Sequence, residues 1–351
     1  LCEDNLPAPA IADPGEHFKT VLWTGDGNRG RSITGVGFQP DFVWLKVRNH
    51  TGYYHELYDS IRGAGNALFS NVTDQEFTTN TLESFDTNGF TVSLQTGLNG
   101  SNQSGKDYVA WCWKAGGAAV ANNDGSIASQ VSANQDAGFS IVSYTGTGAN
   151  ATIGHGLGKA PKLIIVKNRD SVTEWPVLET MVNGGTHYLR LDGDYASTIT
   201  SVVWNNTNPT SDVFSVGTYS YANENNSDHI AYCWAEIEGF SKFGSWNGNG
   251  SADGPFMYCG FKPAFIMTKR TDSATNGNWT MFDSSRSSTN PVGAHFRADD
   301  ATNNELFFGT GIDIVSNGFK IREAASALNN ASGTYIFMAF AESPFQTANA
   351  K

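Results

Sequence analysis

The chain carries the stretch Trp23-Thr24-Gly25-Asp26-Gly27, which returns as Tyr144-Thr145-Gly146-Thr147-Gly148 and again as Trp246-Asn247-Gly248-Asn249-Gly250. A proline follows each copy at the same distance: Pro40, Pro161 and Pro263. Both landmarks advance by 121 residues (144 − 23 and 161 − 40) and then by 102 (246 − 144 and 263 − 161). Such fixed spacing is the signature of repeated structural units. The sequence therefore predicts a tandem array.

Further landmarks keep the same order within each unit. A lysine ends the strand after each proline, an acidic residue follows, and an aromatic-rich strand closes the unit. These residues are Lys46, Lys167 and Lys269, then Asp59, Glu179 and Asp283, with the closing strands aligned on Ala110, Ala231 and Ala339. We interpret the lysines as cations that snorkel to solvent at strand ends. We interpret the acids as acceptors for the loop that follows, paired in two units with Arg62 and Arg286.

The composition favours strands over helices. Only 16% of residues are charged, 12% are aromatic, and glycine occurs 38 times, as expected for short strands joined by tight turns. Apolar runs such as Phe42-Val43-Trp44-Leu45 are typical of central strands buried on both faces. The predicted fold is all-β, with three tandem β-sandwich domains of jelly-roll or other Greek-key connection, related by internal repetition.

The repeat spacing sets the predicted boundaries. They are a Pro-rich connector from a missing upstream domain at 1–17, sandwiches at 18–117, 139–239 and 240–345, a linker at 118–138 and a C-terminal tail at 346–351. A unit of roughly 100 residues can bury a core of its own. Truncating Trp113 or Trp234 in the closing strands is therefore expected to destabilise one unit and leave its neighbours folded.

Charge and cysteine usage exclude several classes of protein. The net charge of −12 (22 − 34) disfavours nucleic acid and anionic membrane surfaces as partners. No apolar run is long enough to span a bilayer, so membrane insertion is not expected. Cys112 and Cys233 occupy equivalent strands and are interpreted as small buried apolar residues. No cysteine or histidine spacing matches a metal site, and no cofactor is expected.

Aromatic rings beside amides are the candidate binding residues. They are Trp204, Asn205, Asn206, Tyr219, Tyr221, Tyr53 and Tyr54. An exposed ring can stack on a sugar while amides bond its hydroxyls, and the alternative is that the rings cover a sandwich edge. Asp192 and Asp194 could donate oxygens to calcium, although the full ladder of ligands is missing. No catalytic residue is assigned, because each unit offers one recurring acid where glycoside hydrolysis requires a pair.

Three long passages resemble a known family. Residues 33–44, 154–162 and 335–345 are similar to an uncharacterised repeat family found in virion proteins of marine bacteriophages, usually downstream of a SPRY-like or laminin-G-like domain. The resemblance implies a structural or host-adhesion role on a phage particle and implies no catalytic residues. The Pro-rich connector fits the exit from such an upstream domain.

Three functions are compatible with these observations. The leading hypothesis is a non-enzymatic virion protein outside the cell, the distal part of a tail or head fibre that contacts a host-surface glycan or receptor. It would bind other virion subunits and further copies of itself, with a trimer compatible with fibre assembly. The alternatives are a purely structural capsid-decoration or self-assembling extracellular filament protein, and a polysaccharide depolymerase.

Overall fold

A computed structural model describes residues 9–97, 100–302 and 304–344. The tail predicted at 346–351 and the first eight residues of the predicted connector lie outside the described residues. The protein is all-β, as predicted, and its helices are single turns: α1 (Ser220–Asn223) and α2 (Ser326–Asn329), with 3-10 turns at Pro14–Glu16 and Gly184–Thr186. Among the described residues, no helix is long and apolar enough to cross a membrane.

The described residues of the first segment form nine strands. They are β1 (Phe18–Thr24), β2 (Arg31–Thr34), β3 (Phe42–Val47), β4 (Glu56–Asp59), β5 (Asn66–Phe69), β6 (Phe77–Thr78), β7 (Leu82–Asp86), β8 (Gly89–Val92) and β9 (Asp107–Trp113). A large sheet has the order β1-β9-β3-β4-β5-β6, and a small sheet has the order β2-β8-β7. The closing strand β9 thus lies between β1 and β3.

The second segment repeats this arrangement. Its strands are β10 (Val120–Asn122), β11 (Ser129–Asn134), β12 (Phe139–Thr145), β13 (Ala151–Gly154), β14 (Leu163–Asn168), β15 (Pro176–Glu179), β16 (His187–Arg190), β17 (Thr198–Ile199), β18 (Val213–Val216) and β19 (Asp228–Trp234). The large sheet has the order β10-β11-β12-β19-β14-β15-β16-β17, beside the pair β13-β18. The predicted linker therefore contributes β10 and β11 to the edge of this sheet.

The third segment joins its strands into one sheet. They are β20 (Ser241–Asn247), β21 (Phe256–Tyr258), β22 (Phe261–Arg270), β23 (Thr280–Asp283), β24 (Val292–Arg297), β25 (Leu306–Val315), β26 (Gly318–Ile321) and β27 (Thr334–Pro344). The order is β20-β27-β22-β23-β24-β25-β26-β21. The closing strand β27 lies between β20 and β22, as β9 and β19 do in their sheets.

Strand pairing corrects one sequence alignment. Trp23 pairs with Tyr108 and Trp246 pairs with Tyr335 in the same register. Phe340 consequently occupies the position of Trp113, and Ala339 occupies that of Cys112 rather than that of Ala110. The sequence alignment was two residues out in the third closing strand because small and aromatic residues alternate there, and a two-residue shift preserves the face on which each side chain lies.

The large sheets are buried on both faces, as their apolar runs predicted. In β3, Val43 and Leu45 pack towards the small sheet, whereas Phe42 and Trp44 point to the opposite side. This opposite side joins a core shared by all three segments. The Trp113 ring lies 6.2 Å from that of Trp234 and 5.6 Å from that of Phe340, centroid to centroid. The segments thus share one core in addition to the cores that lie within the first and second segments, because the apolar outer faces of the sheets bury one another.

Backbone hydrogen bonds connect the segments in a closed cycle. Glu76 N–H donates to Arg169 O at 2.9 Å, Ser197 N–H to Thr271 O at 2.7 Å, and Glu305 N–H to Arg48 O at 2.8 Å. The first segment thus contacts the second, the second contacts the third, and the third returns to the first. The donors lie in the loops between β5 and β6, between β16 and β17, and between β24 and β25.

The glycine motif has a steric explanation. A Cβ on Gly25 would lie 2.1 Å from Gln103 O, one on Gly146 2.2 Å from Glu224 O, and one on Gly248 2.1 Å from Asn330 O. Any larger residue would therefore collide with backbone at this turn. The second glycine of each copy has a positive φ, between 68° and 79°, which L-residues with a Cβ disfavour. The motif is a structural turn, as the sequence predicted.

The recurring lysines are buried, which corrects the snorkelling interpretation. Lys46, Lys167 and Lys269 are each 0% exposed. Lys167 Nζ donates to Thr173 O at 2.5 Å within its own segment and to Thr73 O at 2.9 Å in the first segment. The amines therefore lie at the junctions between segments, where backbone carbonyls replace water as acceptors.

Candidate functional site

A cluster of tyrosines around an ion pair forms the candidate site, on the second segment. We call it the tyrosine surface, defined by Glu174, Tyr188, Arg190, Tyr195, Tyr219 and Tyr221. The ring centroids of Tyr219 and Tyr221 are 4.5 Å apart, and those of Tyr188 and Tyr219 are 5.9 Å apart. Tyr195 is 45% exposed, and the other members are half-buried. The rings therefore offer apolar faces to solvent from a packed arrangement.

Local backbone structure holds these side chains in place. Tyr188 and Arg190 alternate on β16 around the buried Leu189, so both point to the same face of the strand. Tyr219 precedes helix α1, and its N–H donates to Val202 O at 2.9 Å while its carbonyl accepts from Asn223 N–H at 2.9 Å. Strand β16 and the hydrogen-bonded start of helix α1 thus hold the side chains of the tyrosine surface in place.

An ion-pair network lies under the rings. Arg190 contacts the Glu174 carboxylate at 2.7 Å and the Asp192 carboxylate at 2.8 Å, and its guanidinium lies 3.9 Å from the Tyr195 ring centroid. Burial raises the pKa of Glu174, although the charge of Arg190 opposes this shift. Burial likewise raises the pKa of the Tyr188 phenol. Phenols, a carboxylate and a guanidinium side by side can stack on a ligand and exchange hydrogen bonds with its hydroxyls.

The other predicted aromatic residues lie elsewhere. Trp204 is 0% exposed and belongs to the core of the second segment. Its neighbours Asn205 and Asn206 are exposed, and both have a φ of 51°, a conformation that asparagine tolerates better than most residues. The turn geometry therefore explains why amides occur at these two positions. The tryptophan ring is packed inside the segment rather than presented to a ligand.

Tyr53 and Tyr54 belong to the first segment. The Tyr53 hydroxyl donates to Gln103 Oε1 at 2.8 Å, and the Lys106 amine lies 4.8 Å from its ring centroid. The Tyr54 ring packs on Phe69, with centroids 5.2 Å apart. Both side chains are half-buried and pack against the core of the first segment.

The carboxylate of Asp192 is used for structure. Its Oδ1 accepts from Trp175 N–H at 2.8 Å, and its other oxygen pairs with Arg190. Asp299 accepts from Trp279 N–H at 3.0 Å in the corresponding place of the third segment. Asp194 is half-buried two residues beyond Asp192. Within the described ranges, no group of three side chains could hold a metal ion.

The recurring acids bind the loop after their strand, as predicted. Asp59 Oδ1 accepts from the N–H groups of Ile61 and Arg62 at 3.1 and 2.9 Å. The Arg62 Nε donates to the other Asp59 oxygen at 2.5 Å, and the Tyr232 hydroxyl of the second segment donates to it at 2.8 Å. These groups satisfy the carboxylate completely and leave it 0% exposed. The acid therefore joins two segments.

The second segment lacks this charged arrangement. Glu179 accepts from the N–H groups of Met181, Val182 and Asn183 at 2.8 to 3.0 Å, and Val182 stands where the other segments have arginine. The closing-strand position of Tyr232 is taken by Met338 in the third segment. The arginine and the hydroxyl or indole donor are thus both absent here. Apolar side chains of the second and third segments, among them Met181 and Met338, lie together instead.

Comparisons with known proteins give one match. The model of a family described as "Domain of unknown function (DUF7483)" matches residues 13–344. No curated protein matches the chain, and no solved structure matches it. Because the family match spans nearly the whole chain, the protein belongs to the DUF7483 family.

Proposed function

We propose that this protein is a non-enzymatic virion module, the distal part of a phage tail or head fibre, that binds a host-surface glycan through the tyrosine surface. The observation that carries the proposal is the packed set of partly exposed phenol rings over the Arg190–Glu174 ion pair, 2.7 Å apart. Planar rings beside paired polar groups suit sugar rings, which have apolar faces and hydroxyl edges.

We further propose that the three segments are copies of one β-sandwich unit. The matching strand orders, the matching registers and the closed cycle of junction hydrogen bonds support this reading. A rigid body of this kind positions a binding surface precisely at low entropic cost, because its side chains are held before the ligand arrives. It also suits a fibre tip exposed outside the cell.

Burial of the recurring acids supports a binding role over a hydrolytic one. Asp59, Glu179 and Asp283 are between 0% and 3% exposed and lie at junctions between segments. A polysaccharide depolymerase would require two carboxylates facing one groove. These three carboxylates are engaged by backbone N–H groups and, in two cases, by arginine.

A purely structural role is the second candidate, and one observation favours it. Ile199 on β17 and Phe307 on β25 are 75% and 72% exposed at the same register position of their strands. Exposed large apolar side chains are typical of subunit contacts. In a capsid-decoration or filament protein these residues would be covered by other virion subunits or by further copies, such as those of a homotrimer.

Binding to purified host polysaccharide tests the proposal. Tyr219→Ala and Tyr221→Ala are expected to weaken retention on the immobilised polysaccharide about tenfold each, as anchor residues of a small site do. Tyr258→Ala is the matched control, because Tyr258 is 60% exposed on the third segment. Equal retention of all the variants would exclude the tyrosine surface.

Two further measurements separate the alternatives. Incubation with the polysaccharide should release no new reducing ends, and their release would establish a depolymerase. Antibody labelling of the intact particle should place the protein at a fibre tip. Labelling spread evenly over the capsid would favour the decoration role.

A further inference from the structure

A polar cleft lies between the first and third segments. It has a volume of about 430 Å³ and is bordered by β1 of the first segment, by β22 and β27 of the third segment, and by the loop after β23. We call it the junction cleft. Its volume falls within the range of about 300–1,000 Å³ that is typical of small-molecule sites.

Thr20 is an unpartnered polar residue in this cleft. Its side chain lines the cleft and is 8% exposed, and among the described residues its hydroxyl makes no hydrogen bond. Buried hydroxyls nearly always have a partner, because desolvation without one costs free energy. Ile141 and Phe243 occupy the corresponding positions of the other two segments. An apolar residue can therefore occupy this position of the fold, so packing alone does not explain the hydroxyl of Thr20.

The rim of the cleft supplies charged and uncharged hydrogen-bonding groups. Lys262 and Glu342 form an ion pair of 2.8 Å whose side chains are 13% and 38% exposed. Ser285 and Ser288 add exposed hydroxyls from the loop after β23. The ion pair is neutral as a whole, and among the described residues that line the cleft Lys19 is the remaining charged one. Such a rim suits a ligand with many hydroxyls, whether neutral or carrying one carboxylate.

Phe18 lies beneath these groups. It is 2% exposed, lines the cleft and packs on Phe340, with ring centroids 5.4 Å apart. The aromatic packing therefore holds β1 against β27 below the polar groups of the cleft.

We infer that the junction cleft is a second subsite for one sugar unit, with the Thr20 hydroxyl as a buried partner of a sugar hydroxyl. The inference rests on the glycan binding proposed above and extends it to a site on other segments. Two subsites on one rigid body would strengthen binding to a long polysaccharide through effective concentration.

Amide-resolved NMR titration tests the inference. The probes are methyl α-D-glucopyranoside, methyl α-D-galactopyranoside, N-acetylglucosamine and D-glucuronate, which separate neutral from carboxylated sugars. At least one probe should shift the amides of Gly15, Ala264 and Ser285. Thr20→Val should weaken that binding about threefold to tenfold, because it removes one hydrogen bond and keeps the shape of the side chain.

Matched variants assign the outcome. Thr34→Val is the control, since Thr34 is exposed on β2 away from the cleft, and it should leave every affinity unchanged. Ser288→Ala repeats the test if Thr20→Val does not fold. Shifts confined to the tyrosine surface would overturn the second subsite and leave the proposed function standing. Shifts confined to the cleft would keep this subsite and remove the tyrosine surface. If a sugar shifts the cleft amides but binds Thr20→Val as tightly as the wild type, the proposed role of the Thr20 hydroxyl is overturned.

Discussion

Trp111 donates its indole N–H to the Asp283 carboxylate at 3.0 Å, across 172 residues of sequence. The Tyr232 hydroxyl donates to Asp59 at 2.8 Å in the corresponding place. At two of the junctions, a side chain of a closing strand thus donates a hydrogen bond to the recurring acid of another segment. Since Asp283 is 0% exposed, water cannot replace a lost donor without local opening of the structure.

Removing the indole donor should destabilise the whole protein. We expect Trp111→Phe to lower the free energy of unfolding by about 1–3 kcal/mol, because a buried charged acceptor loses a partner. Urea denaturation measures the change. Trp23→Phe is the control, because the Trp23 indole donates to the neutral Ser101 carbonyl within one segment, at 3.2 Å. A larger loss for the control than for Trp111→Phe would contradict the importance of the junction.

Truncating Trp113 should affect all three segments. We expect Trp113→Ala to cost about 3–5 kcal/mol, as for a buried aromatic residue. The sequence predicted damage confined to one unit, but the ring packs against Trp234 and Phe340 in the shared core. Hydrogen exchange measured by mass spectrometry should therefore show faster exchange in β14 and β22 as well as in β3. Faster exchange in the first segment alone would support independent units.

Burial of Lys167 should make stability depend on pH. Burial lowers its pKa to about 7, against the attraction of Asp192 and Asp74. An unfolded chain keeps this proton up to the ordinary lysine pKa of about 10.4. Between these values the unfolded state binds more protons than the folded state, so stability rises with pH. Burial also lowers the pKa of Lys46 and Lys269, each to about 8, so they contribute in the same direction.

Lys167→Met isolates this contribution. We expect the free energy of unfolding of the wild type, minus that of the variant, to increase as the pH rises from about 7 to about 10. The increase should be up to about 1.4 kcal/mol per pH unit. Lys159→Met is the control, because Lys159 is exposed on a loop. A constant gap between the wild type and Lys167→Met across this range would show that the amine is not desolvated.

Lysines on two outer strands should prevent edge-to-edge pairing. Strand β11 covers the edge of β12, whereas β1 and β20 end their sheets. The uncovered strands carry Lys19 and Lys242, and the covered strand has the buried Ser140 at the same register position. Charged edge residues oppose the addition of a foreign strand.

Replacing both edge lysines should promote association. The double variant Lys19→Val with Lys242→Val is expected to form larger species than the wild type, measured by size-exclusion chromatography with light scattering. Lys320→Val is the control, since Lys320 lies on β26 between two paired strands. Unchanged mass for the double variant would assign the lysines a different role.

The sequence predicted those features that depend on local spacing and alternation. The buried runs around Trp44, the Gly25 turn and the loop bonds of Asp59 follow from the polarity pattern and from backbone rules. The shared core could not be predicted, because an outward-facing apolar residue such as Trp113 shows the same alternation whether it faces its own unit or a neighbour. Burial of Lys167 and Lys269 involves carbonyls from another segment and was missed for the same reason.

The candidate site was predicted in part. Tyr219 and Tyr221 were nominated and lie together, but Tyr188, Glu174 and Arg190 reach them only through strand pairing. A recurring asparagine was also missed. Asn102, Asn223 and Asn329 are each 0% exposed, and the side-chain oxygen of each accepts a hydrogen bond from the backbone N–H of the residue between the two glycines of the motif. The 121-residue spacing between the first two could have revealed them.

Among the described residues, the tyrosine surface lies on the second segment alone. The three segments can differ in this way because they are parts of one polypeptide. At the register positions of Glu174 and Arg190, the first segment has Tyr54 and Phe69, an aromatic contact in place of an ion pair. In an assembly of identical chains every subunit would have to display the same face, whereas joined segments can diverge. The glycan site proposed above is therefore present once per molecule on this face, and multivalent attachment under that proposal would require several molecules arrayed side by side.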